Sequence, residues 1–362
     1  MSLRDDLKAL CLLPGLAGHE EPVAAWLRDR LSAVGLSTTT DRLGNLILTL
    51  PGDPALPSVM VFAHMDQLGF VVRKVEADGL LRVERLGGVA EKAMLAQAVL
   101  ICPPGCEALP GVITVKSHHA TSPAEKYIAP AAPEIRIDSG HGSKAAAEAA
   151  GIRIGTPVVY HPRWLPLAGD RIAATALDDR AGCAVLVALA ERLGKRAGGP
   201  TVHCVWSVQE EFNLRGAVVA AQTLRPDIAI QIDLMLATDT PDMADRGEMA
   251  LGGGPGISLY SFHGRGTLNG VIPHPALVRL MEEAAGALGL PLQRSAQVGV
   301  LTDASYVQTV GAGVACLDVG FPMRHSHSPL EICDLRDLAA LTDLLEGALA
   351  RIDPSLRLER GP

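Results

Sequence analysis

Residues 201–212 read TVHCVWSVQEEF, and this stretch decides the fold. Its front half, with Val202, Cys204, Val205, Trp206 and Val208, is short and apolar, which predicts a buried strand. The strand runs straight into Glu210 and Glu211. Two adjacent acids where a core strand ends are costly to bury unless a cation or a proton compensates them. The carboxyl ends of strands are also where open α/β sheets build their sites. For these two residues alone, the competing reading is a solvated pair opening a helix, whose N-terminus favours acids.

Working outward, other apolar runs have the same form. Residues 58–63 (SVMVFA) predict a buried strand that ends in His64-Met65-Asp66. A His and an Asp one residue apart point to the same side of an extended chain. One can then hold a metal while the other hydrogen-bonds the ligand's second nitrogen. Residues 227–232 (DIAIQI) predict a strand ending at Asp233, and 313–319 (GVACLDV) a last strand running into GFPMRHSHSP at 320–329. Asp178 and Asp179 stand just before an apolar helix at 183–193, where N-capping is their simplest role.

Helical spacing also marks 3–13, 20–34, 216–223, 274–288 and 334–352, and a hairpin spans 36–50. The glycine-rich 252–256 fits no phosphate loop, because no Lys-Ser/Thr follows it. From Phe70 to about Pro166 the texture changes to short apolar runs between Gly and Pro turns, with a single helix at 143–150. That texture predicts a small antiparallel barrel or sandwich inserted into an α/β unit. Residues 357–362 read as a polar tail.

Composition bounds the function. The chain has 362 residues, 48% hydrophobic and 20% charged, enough for two domains or one with an insertion. Aromatics are 3%, so the core rests on aliphatic side chains. A net charge of -8 gives no basic footprint for nucleic acid and no polybasic patch for a membrane surface. No apolar run approaches the ~18–20 residues of a membrane span, and the N-terminus lacks a secretory h-region. Seven cysteines, most in apolar contexts, are expected as reduced core thiols in a cytoplasm. Cys102 and Cys106 (CPPGC) have no second Cys/His pair at zinc-ribbon spacing.

The predicted strand ends share one property. His64/Asp66, Glu210/Glu211, Asp233 and the His325/His327 loop all carry groups able to bind a metal, and Asp178 opens the helix between two of the strands. In an α/β sheet such ends converge on one edge. Two histidines and three or four carboxylates there match a two-metal hydrolytic site, with one carboxylate bridging ions ~3.5–4 Å apart and another activating a water. The donor mix suits Zn²⁺, Co²⁺ or Mn²⁺.

The ordered stretches AHMDQLG (63–69), ALDDRAG (176–182), VQEEFNLRGA (208–217), IQIDL (230–234) with TDTP after it, and RHSHSP (324–329) resemble the motifs of the family 42 metallopeptidases. These are glutamyl-aminopeptidase-like, TET-type dinuclear metallo-aminopeptidases. The likeness covers nearly the whole chain, including GVITVKS, SPAEK and IDSGHGSKAAAEAAGIRIGTPV. It implies a three-layer α/β/α catalytic domain with a mixed sheet over 1–69 and 167–362, and a β-barrel insert over 70–166 for assembly and substrate access. It implies His64, Asp178, Glu211, Asp233 and His327 as ligands of two divalent metal ions, Zn²⁺ or Co²⁺ before Mn²⁺. Asp178 would bridge them, Glu210 would be the general base, and Asp66 would orient His64. His327 rather than His325 takes the ligand role because it directly precedes Ser-Pro, and His325 becomes a pocket neighbour. The substrates implied are short peptides with a free N-terminus, and the assembly a homo-oligomer between a dimer and a dodecamer.

The chain departs from the family pattern in places. Gln67 stands where Glu is common, Phe212-Asn213 where Val-Gly is usual, and residues 88–97 (GVAEKAMLAQ) follow the assembly pattern loosely. Two other functions fit the same residues. One is a metal-dependent amidohydrolase or deacylase acting on N-acylated amino acids or amino sugars. The other is a metal-poor, non-catalytic relative.

Overall fold

A computed structural model describes residues 1–264 and 268–360, so Gly361 and Pro362 of the tail lie outside it. Among the described residues the central sheet has nine strands. Its middle is parallel: Val202–Ser207 beside Val59–His64, then Ile228–Leu236, then Ala315–Met323. Antiparallel strands flank it, Leu46–Leu50 on one side and Gly256–Phe262 on the other. The sheet is therefore mixed. All six residues of Val59–His64 are buried, as an apolar run covered on both faces requires.

The period-two alternation of the strands sorts side chains into two cores. Val59, Val61, Ala63, Cys204, Trp206, Ile230 and Leu317 pack with the helices Leu3–Cys11, Glu21–Ser32, Leu177–Leu193, Pro275–Leu288 and Leu335–Leu349. Met60, Phe62, Val205, Ala229 and Cys316 face the helices Gly216–Leu224 and Ala304–Val307. This is the three-layer α/β/α arrangement. The first helix is set by Ser2, whose hydroxyl accepts from Asp5 N while Asp5 returns to the Ser2 amide, a capping box. Arg30, 7% exposed, ties two helices together by bonding both carboxylate oxygens of Asp6 at 2.9 and 3.0 Å.

Gly69–Val75, Leu81–Leu86, Arg136–Asp138, Leu109–Ile113, Ala98–Ile101 and Pro157–Tyr160 close into a barrel, in that order round the ring. Its core is separate, with Phe70 edge-on to Tyr160 at 5.7 Å. No described helix is long and apolar enough to cross a membrane.

Two elements run further than the sequence suggests. The strand expected to stop before Asp233 continues to Leu236, because it pairs with Ala315–Met323 through Leu236↔Met323. Its pairing with Val59–His64 stops at Gln231. Asp233 thus lies in mid-strand, just past the point where the sheet splits on one side. Gly320 sits opposite it, and a Cβ there would collide with the Asp233 carbonyl. The helix at 183–193 begins earlier, at Leu177, with Asp178 and Asp179 non-helical inside its first turn. The glycine-rich 252–256 forms turns whose Gly252 and Gly254 N–H groups both donate to Asp337, at 2.8 Å each.

Candidate metal centre

The acids and imidazoles of the centre come from several elements: Asp178 from the first turn of a helix, Asp233 from mid-strand, Glu210 and Glu211 from one loop and His327 from another. His64 closes the Val59–His64 strand, and its Nε2 lies 3.0 Å from Asp178 Oδ1. With Asp233 these two form a buried group whose donor atoms all lie within 4.8 Å of one another. A second such group is Asp178, Glu211 and His327. His327 Nε2 stands 3.3 Å from Asp178 Oδ2 and 3.7 Å from Glu211 Oε1. Asp178 belongs to both groups and offers one oxygen to each side. All five are brought together at one cavity of about 370 Å³, and Glu210 lines it with them.

The loops are held by carboxylates that accept backbone N–H groups. Asp66, fully buried, takes Glu210 N on Oδ1 and Glu211 N on Oδ2, both at 3.0 Å. Its Oδ1 is also 3.4 Å from His64 Nδ1, an ion-pair distance without hydrogen-bond geometry. Asp66 therefore fixes the acid pair at least as directly as it orients His64. Glu331 does the same across the centre, with Oε2 accepting Asp178 N at 3.0 Å and Oε1 accepting His327 N at 2.9 Å. Glu20 holds the Gln209 amide at 3.0 Å. Gln209, Asn213, Leu214, Ala176, His325 and His327 all take positive φ, a sparsely populated region for residues with a Cβ.

Protein charges alone leave this centre out of balance. Burial pushes Glu210 well above the ordinary carboxylate range, with Glu211 adding to the rise and His64 opposing it. Burial likewise lifts Glu211 and Asp303 to about 7, and Glu331 to about 8. Burial raises Asp233, as does its neighbour Asp178. For Asp178 burial works upward too, but hydrogen bonds from His327 and His64 outweigh it and hold the carboxyl low. Buried carboxylates in such number need protons or cations. His64 Nδ1 and Glu211 Oε1 are buried without a hydrogen-bond partner. His64 Nδ1 faces Asp66 and leaves Nε2 to the centre, and the mixed imidazole–carboxylate donors with the orphaned Glu211 oxygen fit divalent cations of the Zn²⁺ class.

Three residues sit differently from what their positions suggest. His325 is exposed and does not line the cavity, so it is not a pocket neighbour. Gln67 is buried and turned from the cavity, its Oε1 accepting from Arg180 Nη2 at 3.3 Å. Phe212 points outward, 42% exposed beneath the Arg215 guanidinium at 4.5 Å, while Asn213 adopts φ 66. Asn is among the non-glycine residues that best tolerate that conformation, so the loop survives the loss of Gly. Glu331, Glu20 and Asp303 went unremarked in the sequence. Only Glu331 carries a local signal, an acid inside the apolar run PLEIC at 329–333, and that signal does not tell which groups it binds.

The model of the M42 glutamyl aminopeptidase family matches residues 44–344. SgcX of Escherichia coli (strain K12), named as an aminopeptidase by assignment, is 38% identical over 346 residues, which cover 95% of this chain and 92% of SgcX. The lysyl aminopeptidase of Pyrococcus furiosus is 31% identical over 353 residues, 96% of this chain and 97% of that protein. Among solved structures, the Pyrococcus horikoshii TET1 peptidase, which can assemble into a tetrahedron or a large octahedral shell, superposes with a TM-score of 0.86 at 26% identity. That superposition covers 96% of this chain and 99% of TET1.

Proposed function

Because the chain belongs to the M42 glutamyl aminopeptidase family, we propose that it is a two-metal aminopeptidase that removes N-terminal residues from short peptides, with Glu210 as general base. The observation that carries this reading is the pair of donor groups sharing Asp178, with Glu210 in the same cavity. His64, Asp178 and Asp233 would hold one divalent cation, and Asp178, Glu211 and His327 the other. When bound, such cations supply Lewis-acid polarisation of a scissile carbonyl and lower the pKa of a water.

The chain's own residues do the rest. Glu210 accepts the proton of the attacking water on its carboxylate and passes it to the departing amine. Its anchorage matters for that transfer, and Asp66 fixes its backbone and that of Glu211. Glu331 keeps Asp178 and His327 in register with one another. His327, 40% exposed, also lies 2.8 Å from the Gly88 carbonyl through Nδ1, which presents Nε2 to the centre. Gly88 belongs to the insert over 70–166, so that insert supports the centre as well as serving, in our reading, for assembly into a homo-oligomer.

The test loads purified protein with Zn²⁺ or Co²⁺ and offers aminoacyl-4-nitroanilides beside their N-acetyl counterparts. Turnover of the free-amine substrates, abolished by a chelator, is expected. Turnover of the N-acyl compounds alone, or of neither, overturns the reading.

A further inference from the structure

Beside the catalytic cavity lies a second, small one of about 20 Å³. The two share Asp233, Leu234, Leu236, Val300 and Thr302 as lining. A site of ~10–15 Å³ already admits one water-sized group, so the small cavity takes one such group and little more. Its remaining lining mixes Met235 and Val319 with Ser258, Ser261, Ser295 and Gln297, and adds one further charge, Asp318.

Asp318 is 4% exposed and belongs to neither metal-binding group. Thr302 Oγ1 donates to its Oδ2 at 3.1 Å, while its Oδ1 has no partner among the described residues. Ser261, 3% exposed, also has an unpartnered hydroxyl. Burial pushes the Asp318 carboxyl up to about 7 in these surroundings. The strand Ala315–Met323 places Asp318 opposite Gln231, two residues before Asp233, so the carboxylate sits one step behind the metal centre. Arg246 bonds Gln297 at 3.2 Å, but from the exposed side, and makes no bond to Asp318.

An orphaned buried carboxylate is costly until a cation reaches it. Leu234, Leu236 and Val300 line both cavities, giving the two a shared aliphatic sleeve alongside Asp233 and Thr302. A sleeve of this kind with an acid at its end and room for one small head group matches an aliphatic stem carrying an ammonium. We propose that Asp318 closes the pocket for the substrate's first side chain and selects peptides that begin with lysine. An arginine guanidinium is planar and several atoms larger, so lysine is favoured over arginine as well as over leucine and glutamate. The inference rests on the peptidase reading above.

Two measurements test it on the cation-loaded protein. In the first, kcat/KM is compared for lysyl-, arginyl-, leucyl- and glutamyl-4-nitroanilide. Lysyl should lead, and in Asp318→Asn the lysyl-to-leucyl ratio should fall by about 100-fold, the scale for truncating a buried charge partner. In the second, L-lysine and L-norleucine, which share a stem and differ in the ammonium, are titrated calorimetrically. Lysine should bind more tightly than norleucine, and Asp318→Asn should erase the difference.

Leucyl substrate cleaved as well as lysyl, or a ratio untouched by Asp318→Asn, overturns the pocket and leaves the peptidase reading standing. Norleucine binding as tightly as lysine to the unaltered protein overturns it without reference to the variant. Lysine held over norleucine with no aminoacyl substrate cleaved supports the pocket and overturns the peptidase reading.

Discussion

Replacing Glu331 by Gln tests whether a buried acid outside the metal-binding groups sets their geometry. In the folded protein one oxygen of Glu331 accepts Asp178 N at 3.0 Å and the other accepts His327 N at 2.9 Å. The side chain is 2% exposed, so no solvent substitutes for either bond. Glutamine keeps one acceptor and turns an NH₂ toward the other amide. One charge-assisted hydrogen bond is lost, worth about 1.5–3 kcal/mol, and one buried N–H is orphaned at about 1–3 kcal/mol. Allowing for relaxation of the loop, we expect a loss of about 2–4 kcal/mol in stability of the cation-loaded protein. Through its effect on two ligands, we expect about 10–100-fold weaker binding of the ion held by Asp178, Glu211 and His327. Calorimetric Zn²⁺ titration and urea unfolding read these two quantities separately. A Glu331→Gln protein that binds both ions within about twofold of the unaltered affinity would refute the reasoning, even if its stability fell.

Other perturbations have defined outcomes. Glu210→Gln should keep its full metal content by elemental analysis while kcat falls about 10²–10⁴-fold, and equal loss of both would make Glu210 a ligand. In chelator, Glu211, Asp303 and Glu331 have folded pKa values raised to about 7, 7 and 8. A raised folded value contributes stability that is fully present below the unfolded pKa near 4 and is lost as pH rises through 7–8. The melting temperature of the chelated protein should therefore drop between pH 5 and pH 8, and the gap to the Zn²⁺-loaded protein should widen; a gap that narrows contradicts this. Asp6→Asn removes the bidentate partner of buried Arg30, which keeps only Glu191 at 2.6 Å. Urea unfolding should show a loss of about 2–4 kcal/mol, slightly below the range for an uncompensated buried charge.

Much of the centre was legible because strand ends are legible. An apolar run that stops at an acid or imidazole reports both the buried strand and the group it presents, as at Val202–Ser207 before Glu210 and at Val59–His64. The barrel was legible from its turns. What could not be read was pairing. Asp233 looked terminal because the apolar run before it ends, yet the strand persists for three more residues on the strength of one neighbour. Glu331 and Glu20 act by accepting backbone N–H groups from loops far away in sequence, and no local pattern records that. Gln67 lies in a motif beside His64 and Asp66 but turns toward Arg180, since neighbouring positions on an extended chain face opposite ways. Asp318 sat inside an apolar strand, where a lone acid becomes informative only when the cavity beside it is known.

The central claim is a pair of cations sharing Asp178, served by Glu210. Anomalous scattering from crystals grown with Zn²⁺ tests it most directly. The account predicts two peaks ~3.5–4 Å apart, both contacting Asp178, one also contacting His64 and Asp233, the other Glu211 and His327, with Glu210 coordinating neither. A single peak, peaks that do not share Asp178, or Glu210 bound to an ion would contradict it.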